Sequence, residues 1–168
     1  MYRLIYISRY RPRTLQSSAS DCAVAIARQA RNRNRELDLT GALIGTENHF
    51  AQILEGEEVA IRNMMRRIGT DRRHDLVRVV SEGSVGQRIF SDWSMACIPG
   101  TTSLDQSIGA ALPDFGQDAA RDSLVAGLIL QYSKSRRSLS RLRAVREQGQ
   151  AHVSRPASGF ELAPRTAY

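Results

Sequence analysis

Cysteine is scarce in this chain: two in 168 residues, Cys22 and Cys97. Far apart and in no metal-ligand spacing, they exclude a disulfide scaffold and read as reduced thiols. Aromatic residues make up only 6%, with a single tryptophan. That argues against a sheet that reads RNA, which displays paired aromatics on its central strands. No segment approaches the ~20 apolar residues of a membrane span, and the chain opens on a charged, strand-like stretch in place of a signal peptide. A cytoplasmic protein with no membrane partner is expected. What is present is 42% hydrophobic residues, ample for one domain plus an appendage, and a net charge of +7.

The first hundred residues alternate strand and helix signals. Arg3 to Ser8 reads as a strand with Leu4, Tyr6 and Ser8 on one face and Ile5 and Ile7 on the other. Ser20 and Asp21 offer caps for a helix to about Asn32, with a stripe of Cys22, Ile26, Ala27 and Ala30. Leu39 to Thr46 and Phe50 to Leu54 form a hairpin around Glu47-Asn48-His49. A second helix carries Val59, Ile61, Met64, Met65 and Ile68 and stops near Gly69. Leu76 to Ser81 and Ile89 to Cys97 read as two more strands. The order βαββαββ is that of a ferredoxin-like plait, an α+β fold with a mostly antiparallel sheet and two helices on one face. Its first and third strands are central neighbours, so Tyr6 and Gln52 are expected side by side beneath the helices.

Gln52 is the residue that asks for an explanation. It lies in the apolar run Phe50-Ala51-Gln52-Ile53-Leu54 and shares a face with Phe50 and Leu54. A buried amide without a partner costs on the order of 1–3 kcal/mol, so a second polar group is expected over that face. An acylphosphatase-like enzyme would need a phosphate cradle after the first strand, and no glycine-rich loop occurs there. The chain is therefore not expected to be an enzyme. Glu55, Glu57 and Glu58 read as charges at a helix entry that favour its N-terminal dipole.

Beyond Pro99 the character changes. Residues 101–134 read as two short helices, the second with Leu124, Val125, Leu128, Ile129, Leu130 and Tyr132, whose apolar face is expected to cover the open side of the sheet. A basic stretch from Lys134 to Arg146 follows, and residues 148–168 lack periodicity and read as a disordered tail. The expected organisation is a domain over 1–98, a helical extension over 99–147 that caps the sheet and binds partners, and the tail.

Taken together, Tyr6-Ile7-Ser8, Asn34 followed by Leu39-Thr40-Gly41-Ala42-Leu43, Phe50 to Gly56, Asp71-Arg72-Arg73-His74 and Trp93-Ser94-Met95 resemble the BLUF family of blue-light sensors that use FAD. The resemblance covers about residues 2–98. It implies a flavin ring lying between the two helices, hydrogen-bonded by Gln52, itself bonded to Tyr6, with Asn34 at a ring carbonyl and Ile26 packed on the ring. It places Arg67, Arg73 and His74 near the other edge and the ribityl or phosphate portion, and implies further contacts from Ser8, Asn32, Leu54, Asp71 and Met95. Trp93 and Met95 are implied to relay the signal, with the occupant of the pocket in the dark left open between them.

Arg33 stands where many relatives carry a second Asn or a His. The implied function is a photoreceptor in which Tyr6-to-flavin electron and proton transfer rearranges the Gln52 hydrogen bonds. The last strand and the C-terminal helices would then carry the change to a downstream signalling protein, within a homo-oligomer. The alternative is a light-independent plait that binds nucleic acid or an acidic protein through the basic C-terminal segment.

Overall fold

The computed structural model describes residues 1–12, 18–112 and 118–153. A five-stranded sheet is built from β1 (Tyr2–Tyr10), β2 (Thr40–Gly45), β3 (His49–Gly56), β4 (His74–Ser84) and β5 (Ala96–Pro99), in the order β4-β1-β3-β2-β5. The β1/β3, β1/β4 and β2/β3 pairs are antiparallel; β5 runs parallel to β2. Helices α1 (Ala19–Glu36) and α2 (Glu58–Thr70) cover one face, and α3 (Thr102–Ala111) and α4 (Ala119–Val153) follow the sheet. The α+β plait stands, with β1 and β3 at the centre.

The period-2 pattern of β1 and β3 decides the two cores. Tyr2, Leu4, Tyr6, Phe50 and Leu54 face α1 and α2 together with Leu39, Ile61 and Met95. Ile5, Ile7, Ala51 and Ile53 face the other way and are covered by Leu104 and Ile108 of α3 and Val125, Ala126 and Ile129 of α4. Each fully buried aliphatic side chain contributes about 1.5–3 kcal/mol, so the extension completes a core that β1 and β3 would otherwise expose. Leu124 and Leu128, expected on the covering face, point outward at 71% and 47% exposure.

Helix α1 is seated by small residues. Ala19, Ala23 and Ala27 are buried along one line, and a Cβ on Gly45 of β2 would lie 2.6 Å from the Ala19 carbonyl oxygen and 2.7 Å from Ala23 Cβ. Gly45 is thus required by the close approach of helix to strand. The cap of α1 is Ser18, whose Oγ accepts from the Asp21 N–H at 3.1 Å, two residues before the expected Ser20. The helix runs through Glu36, four residues past Asn32, and Asn34 lies inside it.

Two expectations are corrected. Residues 89–95 are not strand: Glu55 captures the backbone N–H groups of Ile89 and Phe90, and the Trp93 N–H bonds back to the Phe90 carbonyl, so a ladder begins only at Ala96. The basic stretch is not separate from the second C-terminal helix; α4 continues unbroken through 153, into the segment read as a tail. Residues 154–168, the rest of that tail, lie outside the described residues. The chain divides into two units, Met1–Lys134, which holds the sheet, and Ser135–Tyr168, whose described part is the remainder of α4.

Candidate functional site

Tyr6 and Gln52 are directly opposite one another in the β1/β3 register. The Tyr6 hydroxyl donates to Gln52 Oε1 at 2.6 Å, and Gln52 Nε2 points at Met95 Sδ, 3.3 Å away. All three side chains are buried. Burial, reinforced by the Asp71 charge and only partly opposed by Arg73, raises the Tyr6 phenol far above its ordinary range. Tyr6 therefore stays protonated, and it can lose an electron at low cost only if its proton moves as well.

The amide of Gln52 opens on a cleft of about 240 Å³ between α1 and α2. Ile26, Gln29, Ala30, Arg33 and Asn34 line it from α1, Met64, Arg67 and Ile68 from α2, and Asp71, Arg73 and His74 from the segment that enters β4. Asn34 is buried; its Nδ2 donates to the Ser94 carbonyl at 2.8 Å, while its Oδ1 has no partner among the described residues. An orphaned buried carbonyl beside an apolar slot calls for a ligand that brings a donor.

His74 is held at the inner end. Its Nδ1 lies 2.8 Å from Ser8 Oγ, and its ring packs on Phe50 at 4.7 Å and edge-on to Tyr6 at 6.1 Å. Burial lowers its pKa from 6.5 to about 4, with the attraction of Asp71 too weak to offset it. The unfolded chain therefore binds an extra proton between those values. Stability from this group is complete above about pH 6.5 and falls by roughly 3 kcal/mol as pH drops to about 4, with no further loss below. Urea unfolding of flavin-free protein from about pH 7.5 to 4 should show this slope, and His74→Gln should flatten it; equal slopes in both proteins would refute the assignment.

Asp71 and Arg73 form a tight pair: Arg73 Nε donates to Asp71 Oδ1 at 2.9 Å, and that hydrogen bond holds the carboxyl below its usual range. Arg73 Nη1 also reaches Gln29 Oε1 across the cleft at 3.3 Å. Its charge is thus already matched. Arg33 and Arg67, on opposite walls, have no ion-pair partner among the described residues.

The structure brings together Tyr6, Ser8, Ile26, Asn34, Gln52, Arg67, Asp71, Arg73, His74 and Met95. It leaves three others apart. Asn32 is exposed and does not line the cleft, because it lies on a different face of α1 from Asn34. Leu54 is packed in the core between sheet and helices. Trp93 packs into the opposite core, stacked on Phe90 at 6.5 Å, so Met95 alone of that pair touches Gln52.

Sequence reasoning missed Gln29, Ala30, Met64 and Ile68 as cleft residues, and noted Arg33 only as a departure from the family pattern. Their signal was present: 26, 29, 30, 33 and 34 in α1, and 64, 67 and 68 in α2, recur at the three- and four-residue spacings of one helix face.

Glu55 corrects the reading of it as a helix-entry charge. It is wholly buried, and its carboxylate accepts from Arg3 Nε at 2.8 Å and from the N–H groups of Ile89 and Phe90 at 2.9 Å each. Segment 89–95 is therefore tied to β3 at one end by Glu55. At the other it is tied by Gln52 on Met95, Asn34 on the Ser94 carbonyl and the Gly41 N–H on the Trp93 carbonyl.

Known proteins are similar to this chain in sequence and in fold. The subunit beta of the photoactivated adenylate cyclase of Euglena gracilis is 29% identical over 97 residues, 55% of this chain and 11% of that protein. The chain thus spans about a tenth of such relatives. Among solved structures, BlrB, a BLUF protein in its dark state, is 33% identical with a TM-score of 0.53 over 58% of this chain and 71% of that one. A Klebsiella pneumoniae protein solved with FMN and cyclic diGMP is 28% identical, with a TM-score of 0.53 over 58% of this chain and 25% of its own. The family model of the sensors of blue light using FAD matches residues 1–96, more than half of the chain and all of the sheet up to the start of β5. With the Tyr6–Gln52–Met95 line and the cleft above it, this chain belongs to the BLUF family of blue-light sensors.

Proposed function

We propose that the protein is a photoreceptor that holds FAD in the cleft between α1 and α2 and signals to a separate partner protein without catalysing a net reaction. The observation that carries this is the buried chain Tyr6–Gln52–Met95 opening on a slot whose wall holds an unpartnered Asn34 carbonyl. Ile26, Met64 and Ile68 supply apolar walls for a flat ring, Asn34 and Gln52 supply its polar edge contacts, and the cations Arg33 and Arg67 suit an anionic tail at the mouth. The donor set suits any flavin of this kind, and FAD is the family's usual cofactor.

Bound flavin excited by blue light supplies an oxidant. Tyr6 is the donor in position: it gives up an electron, and its hydroxyl proton moves along the 2.6 Å bond to Gln52 Oε1. On return of the electron and proton Tyr6 is restored. Gln52 would be left with its amide rotated or tautomerised, and its Nε2–Met95 contact broken or altered. Residues 1–98 would act as the sensor. The strap 89–95 and β5 then pass the change to the extension over 99–147, whose basic stretch begins at Lys134. A cytoplasmic homo-oligomer with a downstream protein as its partner is part of this reading. No helix among the described residues is long and apolar enough to cross a membrane.

The test is the visible spectrum of the purified, FAD-loaded protein before and after blue light. The expected result is a flavin spectrum that shifts slightly to the red and returns in the dark. A protein that takes up no flavin would overturn the proposal and return the chain to a light-independent binding module.

A further inference from the structure

A second tightly held carboxylate outside the cleft, besides Glu55, is Asp105, in the first turn of α3. Its buried carboxylate accepts from the Thr46 hydroxyl, from Asn48 N–H at 3.0 Å and Nδ2 at 3.1 Å, and from His49 Nδ1 at 2.9 Å. Burial pushes its pKa up, but these donors outweigh burial and hold it at about 2. Thr46 and Asn48 lie in the turn between β2 and β3, and His49 is the first residue of β3, the strand that carries Gln52.

That turn is also a hub. The carbonyls of Gly45, Thr46, Glu47 and Asn48 accept from the N–H groups of Gly100, Ser20, Ala19 and Tyr10, at 2.8 to 3.0 Å. The start of α1, the end of β1 and the approach to α3 therefore all hang on one tip. The side chains of Leu104, Ile108 and Ala111 pack on the sheet through apolar contacts, which are non-directional, and at the far end of α3 Arg78 of β4 donates to the Ala111 carbonyl at 2.7 Å. A carboxylate with four donors has one seating, and Gly109 lets α3 come within contact of the His49 ring, since a Cβ there would lie 3.0 Å from Cε1.

We infer that Asp105 is a positioning residue that latches α3 to the β2–β3 turn, and that the state of β3 reaches the C-terminal extension through this latch. The inference rests on the photoreceptor reading. A change at Gln52 that shifts β3 by a fraction of an ångström is lost in apolar packing but alters the hydrogen bonds of a carboxylate with a single seating. β5, which also leads to α3, meets β2 through a parallel ladder and carries no comparable charged anchor.

The experiment is hydrogen exchange on the full FAD-loaded chain, dark and under blue light, with the absorption spectrum recorded on the same samples. In the wild-type protein light should change exchange in both 49–54 and 102–112. Asp105→Asn should keep the red shift and the change in 49–54, while the light-minus-dark difference in 102–112 falls on the order of tenfold, as expected on loss of charge-assisted bonds. Asn48→Ala, at an exposed position, removes one donor without threatening the fold and should give a partial loss. An undiminished light effect on 102–112 in both variants would overturn the latch, as would a wild-type red shift with no response in 102–112. Absence of any red shift in the wild type would instead bring down the photoreceptor reading, and the latch with it.

Discussion

Gln52→Leu and Tyr6→Phe proteins should bind flavin as the wild type does and show no light-induced red shift. In Gln52→Leu the side chain keeps its bulk between Leu43 and the cleft, so the slot formed by Ile26, Met64 and Ile68 survives, while the amide that can be rearranged is gone. In Tyr6→Phe the ring still packs beside His74 and Phe50, but the hydroxyl that donates to Gln52 at 2.6 Å is removed and with it the electron donor that can release a proton. Each change strands one buried polar group, Tyr6 Oη or Gln52 Oε1, at about 1–3 kcal/mol, a loss the fold should tolerate. Difference spectra before and after blue light measure the effect directly. A red shift of wild-type size in either variant would dismiss the hydrogen-bond mechanism, and loss of flavin binding would show that the residue serves mainly to hold the ring.

Glu55→Ala should destabilise the protein by about 3–5 kcal/mol, the scale for removing one partner of a buried ion pair. Glu55 is 0% exposed, and the substitution deprives the Arg3 guanidinium and the N–H groups of Ile89 and Phe90 of their acceptor in one step. Glu55→Gln keeps an acceptor oxygen and should lose distinctly less. Urea unfolding followed by the fluorescence of Trp93, the chain's single tryptophan and a member of the strap, reports both global stability and the local environment. Equal stabilities for Glu55→Ala and wild type would mean that the strap is held by its other contacts alone.

The plait, the pairing of β1 with β3 and the buried amide were legible in the sequence because they depend on local periodicity. Tyr6 sits with Leu4 on one face of β1 and Gln52 with Phe50 and Leu54 on one face of β3. Once a central pair of strands is granted, the contact between them follows from a side-chain period of two. The stripe of Ile26, Gln29, Ala30, Arg33 and Asn34 was equally present in the helical period, although only its two end residues were read as site residues.

What failed to read were groups whose partners lie far along the chain. The strand expected over 89–97 has the apolar content of a strand, yet a carboxylate 34 residues upstream takes the N–H of Ile89. Nothing near Glu55 distinguishes it from Glu57 and Glu58, which are exposed.

The sequence by itself determined which side chains leave each face of β1 and β3, and therefore that a tyrosine and a glutamine would meet over one surface. The reason is that facing is a property of the backbone repeat, written in every few residues. Only the tertiary structure decided that Met95 and not Trp93 reaches Gln52, that Arg73 is already paired while Arg33 and Arg67 have no ion-pair partner among the described residues, and that Asp105 closes on the turn before β3. The first and last of these are choices among competing partners 43 to 59 residues apart, made by the packing of helices and straps once the sheet exists.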